Sequence, residues 1–483
     1  MESRADLPLP TYASGHLGSR MTSLTVISLV VILSAAASRK YYWVALAIGG
    51  ATPIGAAFLA AGNALPTFYA AAIGAVVGLI IRSVHSTRQP QFAASPGFDG
   101  AVPLLLFTLW GVVITVVAPV LFFNTVVYLG PNPDSKSAVH AVLTTSNVAQ
   151  IGYLLLGVAV VFFLAGSRDL GPGVVGLAAS LLTLLSFWRY LHQAVGLPFP
   201  EGLFDNNTTY AFIETLPGGA PRFRGILSEP AGLALSSLVT IAYSLSRAAQ
   251  VTGVRRFWVL VVAAMAAVMA AISTSTTFIV VALILAGLAG VAFLRRVFLG
   301  SGGPKVVAIL GLALTLVAAV FALPLLIDLV SQVISEKLGT SSYADRTLTD
   351  NRSYQIFFEK FGLGVGLGSN RSSSFTAFLL STTGIPGIAL FAWTVYSLLR
   401  PALHVPQMRP VVWALVAVLV SKAISAPDLA DPSGILYLAL GVLAWQGVQL
   451  RRERRLGTEA GAPSRRRSAR VAQTMSSPNG QET

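Results

Sequence analysis

Apolar stretches of bilayer length follow one another along almost the whole sequence, and they limit the fold more than any other feature. A transmembrane helix needs about 20 mostly apolar residues. About thirteen stretches approach this length, near residues 22–37, 43–61, 67–81, 101–127, 147–166, 171–193, 229–246, 256–272, 276–294, 306–330, 373–399, 411–424 and 434–450. We therefore predict an all-α fold, a polytopic bundle of about 12–14 transmembrane helices.

The low charge content agrees with lipid as the main solvent. Charged residues make up 11% of the 483 residues, whereas a soluble domain is about one quarter charged. The sequence has no cysteine, which excludes disulfides, thiolate nucleophiles and Cys-based metal sites. It also lacks the HExxH, EF-hand and Walker A patterns, so we predict neither a metal nor another cofactor.

The net charge of +14 is better explained by membrane orientation than by nucleic acid, so membrane lipid is the predicted partner. Basic residues fall on alternate turns of the chain, which the positive-inside rule places in the cytoplasm. They are Arg39, Lys40, Arg82, Arg88, Arg247, Arg255, Arg256, Arg295, Arg296, Lys305, Arg400 and Arg409. We predict a multi-pass domain over 1–450 in the cytoplasmic (inner) membrane, then a basic, disordered cytoplasmic tail over 451–483.

With this orientation, two longer loops, near 195–228 and 331–372, lie on the external side of the membrane. Both carry more Lys and Arg residues than the positive-inside rule predicts for external loops. The cations are Arg222 and Arg224 in the first loop and Lys337, Arg346, Arg352, Lys360 and Arg371 in the second. Cations placed against the rule close to helix ends suggest an anionic ligand. The alternative is an ordinary solvated loop, in which the cations pair with Glu336, Asp345, Asp350 and Glu359.

The segment 222–231 joins two arginines to a carboxylate just before an apolar span. Ser228 is suited to cap the following helix, Glu229 to face its positive end and Pro230 to occupy its first turn. These residues therefore fit an ordinary helix start. They equally fit a carboxylate and two guanidinium groups held together at the membrane surface.

The segment 344–374 combines an aromatic period with a glycine-rich turn. Four aromatic residues have the i, i+3, i+4, i+7 spacing of one helix face: Tyr354, Phe357, Phe358 and Phe361. This spacing predicts a short helix lying on the membrane. The glycines of 362–368 resemble a dinucleotide fingerprint only superficially, because no βαβ unit surrounds them. Their N–H groups, with Arg371 nearby, could instead hold phosphate oxygens, or the turn could simply lead into the next helix.

Two polar clusters outside these segments admit structural and functional interpretations. Residues 273–277 are all serine or threonine and lie between two apolar spans. Hydroxyl groups there either line a cavity or satisfy backbone carbonyls. Lys422, Asp428 and Asp431 lie near the last external turn, where we expect a structural ion pair.

At the two loops the sequence resembles the O-antigen polymerase and O-antigen ligase superfamily of bacterial envelope glycosyltransferases. The first motif is Arg222-x-Arg-Gly-Ile-Leu-Ser-Glu-Pro-Ala-Gly-Leu-Ala234, and the second is Arg346 followed by Gly364-Val-Gly-Leu-Gly-Ser and Thr383-Gly-Ile-Pro-Gly-Ile. The resemblance extends from 222 to 390. Two departures favour the polymerase branch. The loop 331–372 has no histidine, and Glu229-Pro230 replaces the Asn-Pro pair common among ligases.

The resemblance implies a GT-C-like, metal-independent glycosyltransferase whose donor is a glycan on a polyprenyl diphosphate, with its active site on the external (periplasmic) side. It predicts that diphosphate and glycan are bound by Arg222, Arg224, Arg371, Tyr354, Gly364 and Gly366. The predicted catalytic residues are Glu229, Arg352, Arg346 and Asp350. Glu229 is the first candidate base and Asp350 the second, Arg352 joins the arginines around the leaving group, and either Arg346 or Arg352 is the family arginine.

Three other functions stay open on the sequence. A ligase would move a finished glycan onto a lipid or protein acceptor. A transporter or flippase for lipid-linked glycan would need ionisable residues at mid-membrane, and Arg189 and His192 are the main examples here. A non-catalytic scaffold would tolerate loss of the external arginines. A polymerase could also have a chain-length regulator or a flippase as partner.

Overall fold

The computed structural model describes residues 23–37, 42–60, 63–88, 97–129, 136–167, 170–207, 222–299, 331, 341–425 and 428–461. Of these described residues, 74% are in helices and 4% are in strands. The helices are α1 (Ser23–Ala37), α2 (Tyr42–Gly50), α3 (Thr67–Arg88), α4 (Ala101–Leu121), α5 (Thr145–Ala165), α6 (Gly173–Val195), α7 (Glu201–Phe204), α8 (Pro230–Ala248), α9 (Gly253–Ile272), α10 (Thr276–Leu299), α11 (Ser341–Glu359), α12 (Phe375–Ala402), α13 (Arg409–Ser425) and α14 (Ile435–Gly461).

Seven helices in the described ranges are long and apolar enough to cross a membrane, by length and composition. They are Ala101–Leu121, Thr145–Ala165, Gly173–Val195, Gly253–Ile272, Thr277–Arg295, Phe375–Ala402 and Pro406–Ser425. Shorter apolar helices cover Ser23–Ser34 and Thr67–Ile81. The predicted helical membrane bundle is thereby confirmed, with fewer full-length spans than the 12–14 expected. The predicted span 306–330 lies outside the described residues.

One predicted span, 43–61, is wrong. Helix α2 ends at Gly50, and the chain then forms strand β1 (Ala56–Ala60), which pairs antiparallel with β2 (Asn63–Pro66). Two glycines at the end of α2 and a proline at position 53 explain the break, because both residue types disfavour a helix interior. A second antiparallel pair joins β3 (Val126–Tyr128) to β4 (Lys136–Ala138). The fold is therefore helical with two small β ribbons.

Close contacts between small residues and aromatic rings hold the centre of the bundle together. Gly157 of α5 faces the ring of Tyr437 on α14, and Gly176 of α6 faces the ring of Tyr243 on α8. A Cβ atom at either glycine would lie within 2.6 Å of ring carbons, so only glycine allows these helices to approach so closely. Helices α8 and α14 match the predicted spans 229–246 and 434–450, and both are largely buried.

The order of the helices sorts their ends onto two faces. Short turns join α8 to α9, α9 to α10 and α12 to α13, and the Gln250 side chain of the first turn donates to the carbonyl of Pro406 in the last turn at 2.5 Å. The starts of α8 and α10 therefore share a face with the ends of α9 and α13. The opposite face carries described basic residues at helix ends, namely Arg247, Arg255, Arg256, Arg295, Arg400 and Arg409. That this face is cytoplasmic stays a prediction.

The predicted disordered tail begins as helix. Helix α14 continues to Gly461, so residues 451–461 correct that prediction, and 462–483 lie outside the described residues. Arg451 explains part of the extension, because its guanidinium forms an ion pair with Asp99 and donates to the carbonyl of Gly97 at 2.6 Å. These contacts tie the end of α14 to the segment that precedes α4.

Candidate functional site

The segment before α8 places Arg222 against the turn between α9 and α10. Its Nε donates to the hydroxyl of Thr274 at 3.3 Å, and its Nη2 donates to the Thr274 carbonyl at 3.4 Å. Thr274 is exposed and has a φ of 50°. The neighbouring Ser273 is buried and donates to the carbonyl of Ala270 at 2.6 Å. Ser273 therefore satisfies a backbone carbonyl, which was one of the two interpretations considered above. Thr274 instead accepts from Arg222, and a cavity lined by this run stays a prediction.

Glu229 lies at the start of α8. It is the N-cap residue, with φ −145° and ψ 154°, and Pro230 occupies the first turn. The prediction of Pro230 at the first turn is correct, whereas Ser228 is not the cap as predicted. Among the described residues, the Glu229 side chain makes no capping hydrogen bond to α8. Its carboxylate is therefore free to interact with charged groups around the helix end.

Helix α11 brings Arg346 to the same region. Its Nη1 donates to the hydroxyl of Ser425 at the end of α13, at 3.2 Å. Arg346 is half-buried and Ser425 is buried. Since α13 ends on the face where α8 begins, Arg346 approaches the side of the bundle that carries Arg222 and Glu229.

Electrostatic interactions link these three residues directly. Burial lowers the pKa of the Arg222 guanidinium, the Glu229 carboxylate raises it, and the positive charge of Arg346 lowers it again. Two guanidinium groups from loops distant in the sequence thus lie within range of each other and of one carboxylate. Within the part of the chain that the structure describes, neither Arg222 nor Arg346 has a carboxylate at ion-pair distance.

This arrangement of two guanidinium groups and one carboxylate is suited to bind an anion with more than one negative charge. Two like charges that repel each other in a partly buried setting favour a ligand that carries two or more negative charges. Guanidinium groups suit phosphate oxygens in particular, because their planar N–H groups match that geometry. The carboxylate of Glu229 adds a hydrogen-bond acceptor and base beside them. We refer to Arg222, Glu229 and Arg346 as the cation-pair site.

Arg224 has a different environment from that of Arg222, although both were predicted to bind substrate. It is buried, and its Nη2 lies 2.6 Å from Oδ2 of Asp205. Its Nη1 donates to the carbonyl of Leu227 at 2.8 Å. Arg189 of α6, also buried, contacts Oδ2 of Asp205 at 2.9 Å. This network fixes the loop to α6, and sequence reasoning missed Asp205 because no local pattern marks it.

Two predicted catalytic residues of α11 are occupied by structural contacts. Arg352 pairs with Glu359 at 2.8 Å and donates to the carbonyl of Val126 at 3.0 Å, so it ties α11 to β3. Asp350 accepts from the backbone N–H groups of Ser373 and Ser374, at 2.6 and 3.1 Å, where α12 begins. Glu359 thus neutralises Arg352, as expected for an ordinary solvated loop. Arg346, in contrast, has no carboxylate partner among the described residues.

The glycine-rich turn is packed into the bundle. Gly364 and Gly366 have φ values of 85° and 88°, which favour glycine. The N–H of Gly366 donates to the carbonyl of Thr382 at 2.9 Å, and a Cβ at Gly364 would lie 2.6 Å from that carbonyl oxygen. The amide of Gly366 is therefore already occupied and is not available to a phosphate. Phosphate binding at Gly364 stays a prediction.

The remaining predicted residues lie toward the β3 strand or the surface. The N–H of Arg371 donates to the carbonyl of Tyr128 in β3 at 2.7 Å, and its side chain is exposed. Tyr354 is exposed on α11, as are Phe358 and Phe361. The predicted helix is thus present, although it ends at Glu359, before the last aromatic residue of the period.

Comparisons with known proteins add no further assignment to this site. No protein-family model matches the chain, and no curated protein matches it. In the described ranges, no group of three or more histidine, aspartate or glutamate side chains lies together as a metal site would require. The electrostatic interaction of Arg222 with Glu229 and Arg346 is the observation from which the function below is proposed.

Proposed function

We propose that this protein is a membrane glycosyltransferase that polymerises polyprenyl-diphosphate-linked oligosaccharide on the outer face of the cytoplasmic membrane. The convergence of Arg222, Arg346 and Glu229 carries this proposal. It provides two cations for a diphosphate and a base for an acceptor hydroxyl, at the end of the bundle opposite the basic helix ends. The resemblance of the two loops to the O-antigen polymerase and ligase superfamily, which implies a GT-C-like architecture, supports the same proposal.

In the proposed reaction, the oxygen of an acceptor sugar hydroxyl forms a bond to C1 of the donor sugar. The bond between C1 and the diphosphate oxygen breaks, and its electron pair leaves with the polyprenyl diphosphate. The hydroxyl proton passes to the carboxylate of Glu229, which is poised as a general base. Arg222 and Arg346 stabilise the negative charge that develops on the leaving diphosphate.

Repulsion between the two arginines assists this chemistry. The free site holds two cations within interaction range, so binding of an anion relieves an unfavourable interaction as well as forming favourable ones. Removal of one such transition-state contact typically costs about 2.7–4 kcal/mol. Arg224 and Asp205 hold the first loop in place, and we assign them a positioning role.

A direct test uses the purified full-length protein in lipid nanodiscs. It is supplied with a polyprenyl-diphosphate oligosaccharide in the presence of a chelator, and products are separated by length. We expect a ladder of repeat lengths. A single transfer to each acceptor would indicate a ligase, and movement of the donor across vesicles without a new glycosidic bond would indicate a transporter. Product formation only after addition of a divalent metal would contradict the arginine mechanism.

A further inference from the structure

Lys422 is a buried cation near the cation-pair site. It lies in the last turn of α13, and 8% of the residue is exposed. Its Nζ donates to the backbone carbonyl of Asp428 at 2.9 Å and lies 6.0 Å from the centre of the Phe375 ring. No described carboxylate lies at ion-pair distance from it.

The ion pair predicted among Lys422, Asp428 and Asp431 is therefore not formed. Asp431 uses its carboxylate at the start of α14, where Oδ1 accepts from the Ser433 hydroxyl at 2.6 Å and Oδ2 accepts from the Leu436 N–H at 2.8 Å. An ammonium group has three N–H donors. One donor of Lys422 is used by the Asp428 carbonyl, which is neutral. The positive charge of Lys422 therefore has no carboxylate partner among the described residues.

Ser425 is the hydroxyl residue that links Lys422 to its surroundings on α13. It lies three residues after Lys422 and four residues after Ser421, so its side chain neighbours both of theirs on the helix surface. The Ser425 hydroxyl receives the hydrogen bond from Arg346. The Ser421 hydroxyl is buried and has no hydrogen-bond partner among the residues that the structure describes. A buried hydroxyl without a partner is unfavourable, and it marks a position where a ligand can supply one.

We infer that Lys422, Ser421 and Ser425 of α13, together with Arg346 of α11, form a second anion subsite that receives one phosphate group of a lipid-linked diphosphate. Arg346 donates to Ser425 and also acts electrostatically on Arg222. In the proposed arrangement, one phosphate therefore contacts Arg222 and Arg346 while the other contacts Arg346 and Lys422. This inference rests on the proposed function for the identity of the ligand. It gives a physical reason why a diphosphate is preferred over a monophosphate.

The position of Lys422 in the last turn of α13 also suits the negative end of the helix dipole. A purely structural lysine would affect stability but would not distinguish two ligands that differ by one phosphate. The test therefore compares geranylgeranyl diphosphate with geranylgeranyl monophosphate, whose lipid tails are identical. Affinities are measured from the concentration dependence of thermal stabilisation of the purified full-length protein in detergent.

We expect the wild-type protein to prefer the diphosphate. Lys422→Met should weaken diphosphate binding by at least about tenfold, because a charge-assisted contact is lost. The same variant should change monophosphate affinity by less than about twofold, since Arg222 and Arg346 remain. Lys422→Arg should restore the preference. Lys360→Met is the matched control, because this outer-face lysine lies over the Phe122 ring and should leave both affinities unchanged.

Ser421→Ala provides an independent variant that keeps all charges, and it should lower diphosphate affinity by about threefold. An unchanged ratio of diphosphate to monophosphate affinity in both Lys422→Met and Ser421→Ala would overturn the subsite. Absence of a diphosphate preference in the wild-type protein would also overturn it. If the preference is present and depends on Lys422, but no glycan product forms, the subsite stands and the glycosyltransferase proposal fails.

Discussion

Arg222 and Arg346 lie within range of mutual repulsion, although one precedes α8 and the other lies on α11. Each is held by neutral hydroxyl or carbonyl groups, Thr274 for Arg222 and Ser425 for Arg346. A protein selected only for stability would place carboxylates beside both. The arrangement therefore supports a site built for an anion that arrives from outside the chain.

The two arginines of α11 should respond differently to substitution. Arg346→Gln should lower the rate of glycan transfer by about 10²–10³-fold, because a charge that stabilises the leaving diphosphate is lost. Arg352→Gln should lower it by less than about tenfold, since Arg352 already pairs with Glu359 and Val126. Single-turnover rates in nanodiscs provide the measurement. Arg255→Gln on the opposite face serves as control, and equal losses in both α11 variants would contradict this assignment.

Substitutions of the two arginines of the first loop, Arg222 and Arg224, should have different effects on the stability of the protein. Arg224→Met leaves Asp205 with one buried partner fewer and should destabilise the folded protein by about 3 kcal/mol. Arg222→Gln removes a repulsion and should leave the ligand-free melting temperature unchanged or slightly higher. Thermal unfolding in the same detergent gives both values. Arg224→Lys, which keeps a cation beside Asp205, should recover part of the loss. A drop for Arg222→Gln as large as for Arg224→Met would contradict the distinction.

Glu229 should matter for turnover rather than for folding. Glu229→Gln should lower the transfer rate by about 10²–10⁴-fold, because an amide cannot accept the hydroxyl proton. Its melting temperature should match the wild-type value, since the carboxylate makes no capping bond to α8. Donor affinity measured by thermal stabilisation should also persist. Glu453→Gln, which changes an exposed carboxylate on α14, is the control. If the Glu229→Gln variant turns over substrate at the wild-type rate, Glu229 is not the base.

Gly176 should be required for the packing of α6 against α8. A methyl group in Gly176→Ala would lie 2.5 Å from the Tyr243 ring, and such overpacking typically costs about 1–3 kcal/mol. Gly287 offers a matched control in α10, because nothing lies within 4 Å of its Cβ position. Gly287→Ala should therefore leave the melting temperature unchanged or raise it. A similar melting temperature for both variants would contradict the proposed contact.

The site was only partly predictable, for identifiable reasons. The segment 222–231 could be recognised because cations, a carboxylate and a helix start are adjacent in the sequence. Nothing local shows that Arg224 turns toward Asp205 while Arg222 turns toward Thr274. Likewise, the conformational freedom of Gly366 is visible in the sequence, but the partner of its N–H group is not.

Hydropathy along the chain determined the helical bundle and most helix positions, because both depend on the local preference of residues for lipid or water. Tertiary packing alone decided that α2 ends before a β ribbon, that Arg352 is neutralised, and that Arg346 meets Ser425 and the charge of Arg222. Partners of a charged side chain depend on residues far along the chain, since guanidinium and carboxylate groups pair with whatever the folded backbone brings within a few ångströms.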